Sequence, residues 1–118
     1  LSVCDGSLTV AETGIYDGKP LTTHASDYNR LKSYYVKPLW TNNTSVTNSN
    51  NLYSTAGVSN ATEGSLTIIK DLFDEKTMIM VKNNIKYPFD SIKQNHKSIP
   101  IDFGNKLTIA NKVFFKEN

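Results

Sequence analysis

Leu1-Ser2-Val3-Cys4-Asp5-Gly6-Ser7-Leu8 is the stretch on which the reading of this chain turns. A short apolar run leads into the cysteine, and a glycine just after it opens a helical pattern. Strand, tight turn and helix in that order make a nucleophile elbow: the turn lifts one side chain clear of the sheet edge, and the next backbone amides point at whatever binds above it. Cys4 is the single cysteine of 118 residues. A lone thiol is by default a small buried hydrophobe, but this position argues for chemistry. The partial positive charge of a helix start favours thiolate. The amides of Asp5 and Gly6 are suited to donate to a developing oxyanion. Asp5 has the opposite effect on the sulfur, because a neighbouring carboxylate disfavours thiolate; its plainer role is to stabilise the helix start.

Working outward, Leu8, Val10, Ala11 and Ile15 give one apolar face of a short helix that Gly14 or Gly18 ends. Asp17-Gly18-Lys19-Pro20 is a turn. Leu21-Thr22-Thr23-His24 favours extended structure, so His24 is expected at the end of a strand lying beside the first one. Both side chains then emerge at the C-terminal edge of a parallel sheet, where ligands bind in open α/β folds. A cysteine nucleophile needs a nearby base or proton shuttle, and His24 fills that role. Taken alone, it reads as a surface histidine. His96 has no recognisable partner and reads as a surface residue.

Ser26 or Asp27 caps a helix through Tyr28, Leu31 and Tyr34-Tyr35. Thr44-Ser45-Val46-Thr47 and Leu52-Tyr53-Ser54-Thr55 form a hairpin about an asparagine turn. Ser59 or Asn60 starts the clearest helix, with Leu66, Ile69, Leu72 and Phe73 on one face. Asp74 starts another, with Met78, Val81 and Ile85 as its stripe, stopping before Tyr87-Pro88. Glu12 and Glu63 read as solvated helix positions. Ile99-Pro100-Ile101, Leu107-Thr108-Ile109 and Val113-Phe114-Phe115 read as extended segments. This order of elements gives an α/β layered domain.

The bulk numbers exclude several classes. At 118 residues the chain makes one small domain. Its net charge of +2 comes from dispersed lysines, with no basic cluster to grip nucleic acid. No apolar run approaches the roughly 20 residues that span a bilayer, and no signal-peptide pattern is present. The expected location is therefore cytoplasmic. One cysteine supports neither an intrachain disulfide nor a cysteine-rich metal site. Sequons at Asn42, Asn43 and Asn60 are expected by chance in so asparagine-rich a chain.

Ser2-Val3-Cys4-Asp5-Gly6-Ser7-Leu8, Ala11-Glu12-Thr13-Gly14-Ile15-Tyr16-Asp17-Gly18-Lys19, Leu21-Thr22-Thr23-His24 and Asn51-Leu52-Tyr53-Ser54-Thr55-Ala56-Gly57-Val58-Ser59 together resemble the ThiJ/PfpI family of the class I glutamine amidotransferase-like superfamily. The nearest flavour is the isonitrile hydratase-like branch, also found as the ligand domain of some AraC-type regulators. The resemblance runs to Lys86-Tyr87-Pro88 and fades beyond. It implies a three-layer flavodoxin-like sandwich with a mainly parallel sheet, incomplete here at its N-terminal side. Residues 1–88 then form the C-terminal part of such a domain, and residues 89–118 an extension packing on it.

The resemblance further implies that Cys4 is the nucleophile, with His24 near it, and that the turn at Gly57 and Val58 borders the site. It implies a hydrolase or hydratase-like lyase acting on a small electrophilic molecule, without a cofactor or metal. In such proteins a second oxyanion amide and an acidic group come from the half before the elbow, so the expected partners are that half and, as is common in the family, a second copy of the chain. A buried parallel strand needs neighbours on both sides, which Leu1 to Val3 and Leu21 to Thr23 alone do not supply. Asp5 and Ala25 depart from the family pattern. They keep open the alternative of a non-catalytic ligand-binding or redox-sensing module on the same fold.

Overall fold

In the computed structural model, residues 1–88 are described. The expectations for residues 89–118, including His96, lie outside them. The chain forms β1 (Ser2–Val3), α1 (Gly6–Glu12), β2 (Pro20–Leu21), α2 (Tyr28–Tyr34), β3 (Leu39–Trp40), β4 (Val46–Ser49), β5 (Leu52–Thr55), a 3-10 turn (Val58–Asn60), α3 (Ala61–Leu72) and α4 (Glu75–Asn84). It is a mixed α/β fold, as the sequence indicates.

β5 is the organising strand. It pairs in parallel with β1, with Val3 opposite Thr55, and antiparallel with β4 through a turn at Asn50 and Asn51. Asn50 takes φ +57, a conformation that asparagine tolerates better than most residues. Among the described residues β1 pairs on this one side. The segment from Leu21 to His24, expected beside β1, is not its neighbour. β2 covers Pro20 and Leu21 alone and pairs in parallel with β3. Beyond Leu21 the chain is held by side chains instead of a ladder. Thr22 N–H donates to Ser54 Oγ at 2.9 Å, and Thr22 Oγ1 donates to the carbonyls of Thr44 and Thr41 at 2.9 and 3.2 Å. Thr47 Oγ1 reaches the Pro20 carbonyl and forms a hydrogen bond with Ser54 Oγ.

Two small apolar clusters form. Ala11, Tyr16, Leu21 and Leu52 pack together, flanked by Val10, Tyr35 and Trp40. Leu66 and Met78 join α3 to α4, flanked by Ile69, Val81 and Tyr87. The interior is also rich in hydroxyls: Ser7, Thr22, Thr23, Ser45, Thr47, Ser54 and Thr55 are all buried. α3 approaches β5 so closely that a Cβ at Gly64 would overlap the Thr55 methyl.

Three sequence expectations change here. Leu72 and Phe73 are about seven-tenths exposed, so the apolar face of α3 is its Leu66 and Ile69 side. Ile15 and Ile85 are likewise exposed. Glu63, read as solvated, is 1 % exposed. It lies in the first turn of α3, where Asn60 Nδ2 donates to its Oε2 at 3.5 Å, and its charge acts on Tyr87. Burial first, and then Glu63, raise the Tyr87 phenol well above its usual range.

Candidate functional site

The ladder of β1 continues one residue into Cys4, whose N–H donates to the Thr55 carbonyl at 2.9 Å. There the backbone leaves the strand. Cys4 adopts φ +54, a region that costs a residue with a side chain about 1 kcal/mol or more. The turn closes through Ser7 N–H to the Cys4 carbonyl (3.3 Å) and Leu8 N–H to the Asp5 carbonyl (3.0 Å). The amides of Asp5 and Gly6 make none of these turn bonds. Cys4 is half-buried and free.

Because β5 runs parallel to β1, its C-terminal end comes out at the same edge. Ala56 N–H donates to the Ser45 carbonyl and Asn60 N–H to that of Gly57, folding the chain into α3. Gly57 and Val58 thus follow the strand that holds Cys4. Val58 is 78 % exposed. Gly57 has φ −143, and a Cβ there would meet only ordinary contacts with Asn60 and Ser59, so neither conformation nor crowding demands glycine.

His24 lies outside any strand and is exposed. Ser26 holds it: the hydroxyl meets Nδ1 at 2.7 Å, and the Ser26 N–H lies 3.3 Å from the same nitrogen. The His24 carbonyl accepts from Asp27 N–H. The ring lies near enough to Asp5 and Asp27 to act on both carboxyls. Thr23, its neighbour, reaches the turn directly, donating through Oγ1 to the Cys4 carbonyl at 3.3 Å.

Asp5 makes no side-chain cap on α1. Its carboxyl faces Asp27, and partial burial together with a hydrogen bond to that carboxyl raises its titration above the usual range. Asp27 moves the other way. Arg30 binds its Oδ1 through Nε at 3.0 Å and Nη2 at 2.8 Å, which together with the bond from Asp5 holds it low. The Asp5 carboxyl is therefore linked through Asp27 to Arg30. Sequence reading identified Asp27 only as a helix cap, and it found neither Arg30 nor Thr23. The i, i+3 spacing of Asp27 and Arg30 on a helix start was the available signal for one of these contacts. Nothing local marks Thr23.

A cavity of about 260 Å³ lies at the far end of α1, lined by Glu12, Asp17, Tyr35 and Lys37 among others. It contains no residue of the turn.

No family model matches the chain. It is 30 % identical over 94 residues to isonitrile hydratase of Pseudomonas putida, covering 76 % of this chain and 40 % of that protein. A cysteine-to-alanine mutant of a DJ-1 superfamily protein from Salmonella typhimurium has a similar structure, with a TM-score of 0.59 at 17 % identity over 74 % of this chain and 45 % of the other. The chain spans about two-fifths of the curated relative's length. Among the described residues, no helix is long and apolar enough to cross a membrane.

Proposed function

Because the chain belongs to the ThiJ/PfpI family, we propose that it supplies the nucleophile of a cysteine-dependent hydrolase or hydratase-like lyase acting on a small electrophile such as an isonitrile, an amide or a reactive aldehyde. One observation carries this reading: Cys4 is held at φ +54 where a strand gives way to a helix. That conformation is strained and is maintained by specific bonds, as is common where a side chain must be presented for chemistry.

In this reading the Cys4 sulfur adds to the electrophilic carbon. The amides of Asp5 and Gly6 receive the negative charge that develops. His24, with Nδ1 engaged by Ser26, moves protons through Nε2 between the adduct and water. With an isonitrile, water then adds to the resulting thioimidate and the thiol leaves; with an amide, the amine leaves as the thioester forms, and water then hydrolyses that thioester to free the thiol. The remaining wall of the site, and an acidic group at the sulfur, are supplied in this proposal by a polypeptide pairing along the open side of β1.

Replacing Cys4 with Ser in the complete protein is expected to abolish formamide production from a simple alkyl isonitrile, or turnover of whichever electrophile it processes. Unchanged turnover would overturn the assignment.

A second reading, a ligand-binding or redox-sensing module, draws on Asp5, which follows Cys4 directly in the chain. Iodoacetamide alkylation of Cys4 across pH separates the two. A midpoint well below the free-thiol value of roughly 8.5 supports catalysis, and one at or above it supports binding.

A further inference from the structure

The strained φ of Cys4 needs something to hold it, and the bonds that do so are visible. Its N–H is fixed by the Thr55 carbonyl. Its carbonyl receives two donors, Ser7 N–H and Thr23 Oγ1, each at 3.3 Å. Thr23 is itself held, because Ser7 Oγ donates to Thr23 Oγ1 at 2.8 Å. Ser7 is 0 % exposed and Thr23 4 % exposed. Solvent therefore does not replace these bonds, and each hydroxyl has a fixed direction: Ser7 to Thr23, and Thr23 to Cys4. The two residues come from different elements, α1 and the segment after β2, and meet only at this turn.

We infer that Thr23 and Ser7 are positioning residues, a buried hydroxyl relay that locks Cys4 in its left-handed conformation and so fixes where the sulfur sits at the start of α1. Neither hydroxyl touches the sulfur in this arrangement; they act through the main chain. This inference rests on the reading of Cys4 as the reacting group and deepens it. The charged groups facing the turn, Asp5, His24, Asp27 and Arg30, are left in place by the substitutions that test it.

Thr22 supplies the comparison. It is as buried as Thr23 and also donates its hydroxyl to main-chain carbonyls, but to those of Thr41 and Thr44. A generic loss of a buried hydroxyl bond is therefore matched, while the tie to Cys4 is not. The experiment is the rate of Cys4 alkylation by iodoacetamide across pH in the full chain, with folding of each variant checked by circular dichroism.

Thr23→Val is expected to slow alkylation about three- to tenfold, the weight of one buried hydrogen bond. Thr23→Ser, which keeps the hydroxyl, is expected to restore the rate to within about twofold. Ser7→Ala should slow it in the same direction and less. Thr22→Val should leave the rate unchanged while lowering stability. An unaltered profile in Thr23→Val overturns the inference, as does an equal slowing in Thr22→Val. If Thr23→Val fails to fold, Ser7→Ala decides, and an unaltered rate there overturns it. Should Cys4 in the unsubstituted chain react no faster than free cysteine, the nucleophile reading falls. The ranking of Thr23→Val against Thr22→Val still tests the relay.

Discussion

The sheet with its turn and the α3–α4 pair are held together by different chemistry. Around β5 the interior is a lattice of serine and threonine hydroxyls that bond to main-chain atoms and to one another. Between α3 and α4 the contact is apolar and thin, with Leu66 and Met78 at its centre. Hydrogen bonds are directional and specify position to within a few tenths of an ångström. Apolar contact specifies only that surfaces meet. The strained residue lies in the directional half, which is where precise placement of a side chain is needed.

That contrast can be broken by substitution. Leu66→Ala removes a side chain that is 1 % exposed and is expected to cost about 2–5 kcal/mol through lost burial and the cavity it leaves. Denaturant titration measures this, and a loss under about 1 kcal/mol would show that the α3–α4 contact is not a core. Ser54→Ala strips the acceptor from the buried Thr22 N–H and the partner from Thr47. The expected loss is about 1–3 kcal/mol, although only one oxygen is removed. Equal stability would show that the hydroxyl lattice is decoration. Leu72→Gln, on the outward side of α3, is expected to change stability by no more than about 0.5 kcal/mol. A large loss would mean that the outward face is covered.

The smallest effects are those of pH, and their signs differ. Asp74 caps α4 by accepting from Thr77 N–H at 2.6 Å, which lowers its titration. Its contribution is complete above the ordinary carboxylate range and is lost as pH falls through the depressed value. Asp5 is raised, by partial burial first and then by Asp27. It favours the folded state most when protonated, so its contribution fades as pH rises from the ordinary carboxylate value through the raised one. Comparing Asp74→Asn and Asp5→Asn melting temperatures between pH 3 and pH 6 separates the two. The first variant should flatten a rise in stability with pH, and the second a fall.

Much of the architecture was legible because it is local. Val3, Cys4 and Gly6 announce a strand, a turn and a helix within a few residues. Asn50 and Asn51 mark a hairpin whose register then follows from its two-residue turn. Asp74 is an N-cap by residue type, and it caps. β3 escaped notice because Leu39 and Trp40 are too few to show alternation. The α3 face was half misread, since helical periodicity identifies an apolar stripe without saying which end of it meets a neighbour. Glu63 was misread for a related reason: helix position gives no measure of burial.

What the sequence by itself determined is the presence of a thiol at a strand-to-helix turn, because that turn is built from consecutive residues obeying short-range steric rules. Only the tertiary structure decided that β5, and not the Leu21 to His24 segment, lies beside β1. It alone brought Thr23 onto the Cys4 carbonyl, set Asp27 and Arg30 against Asp5, and buried Glu63. Those contacts join residues far apart along the chain. They depend on how strands and helices pack, which no local pattern of residues encodes.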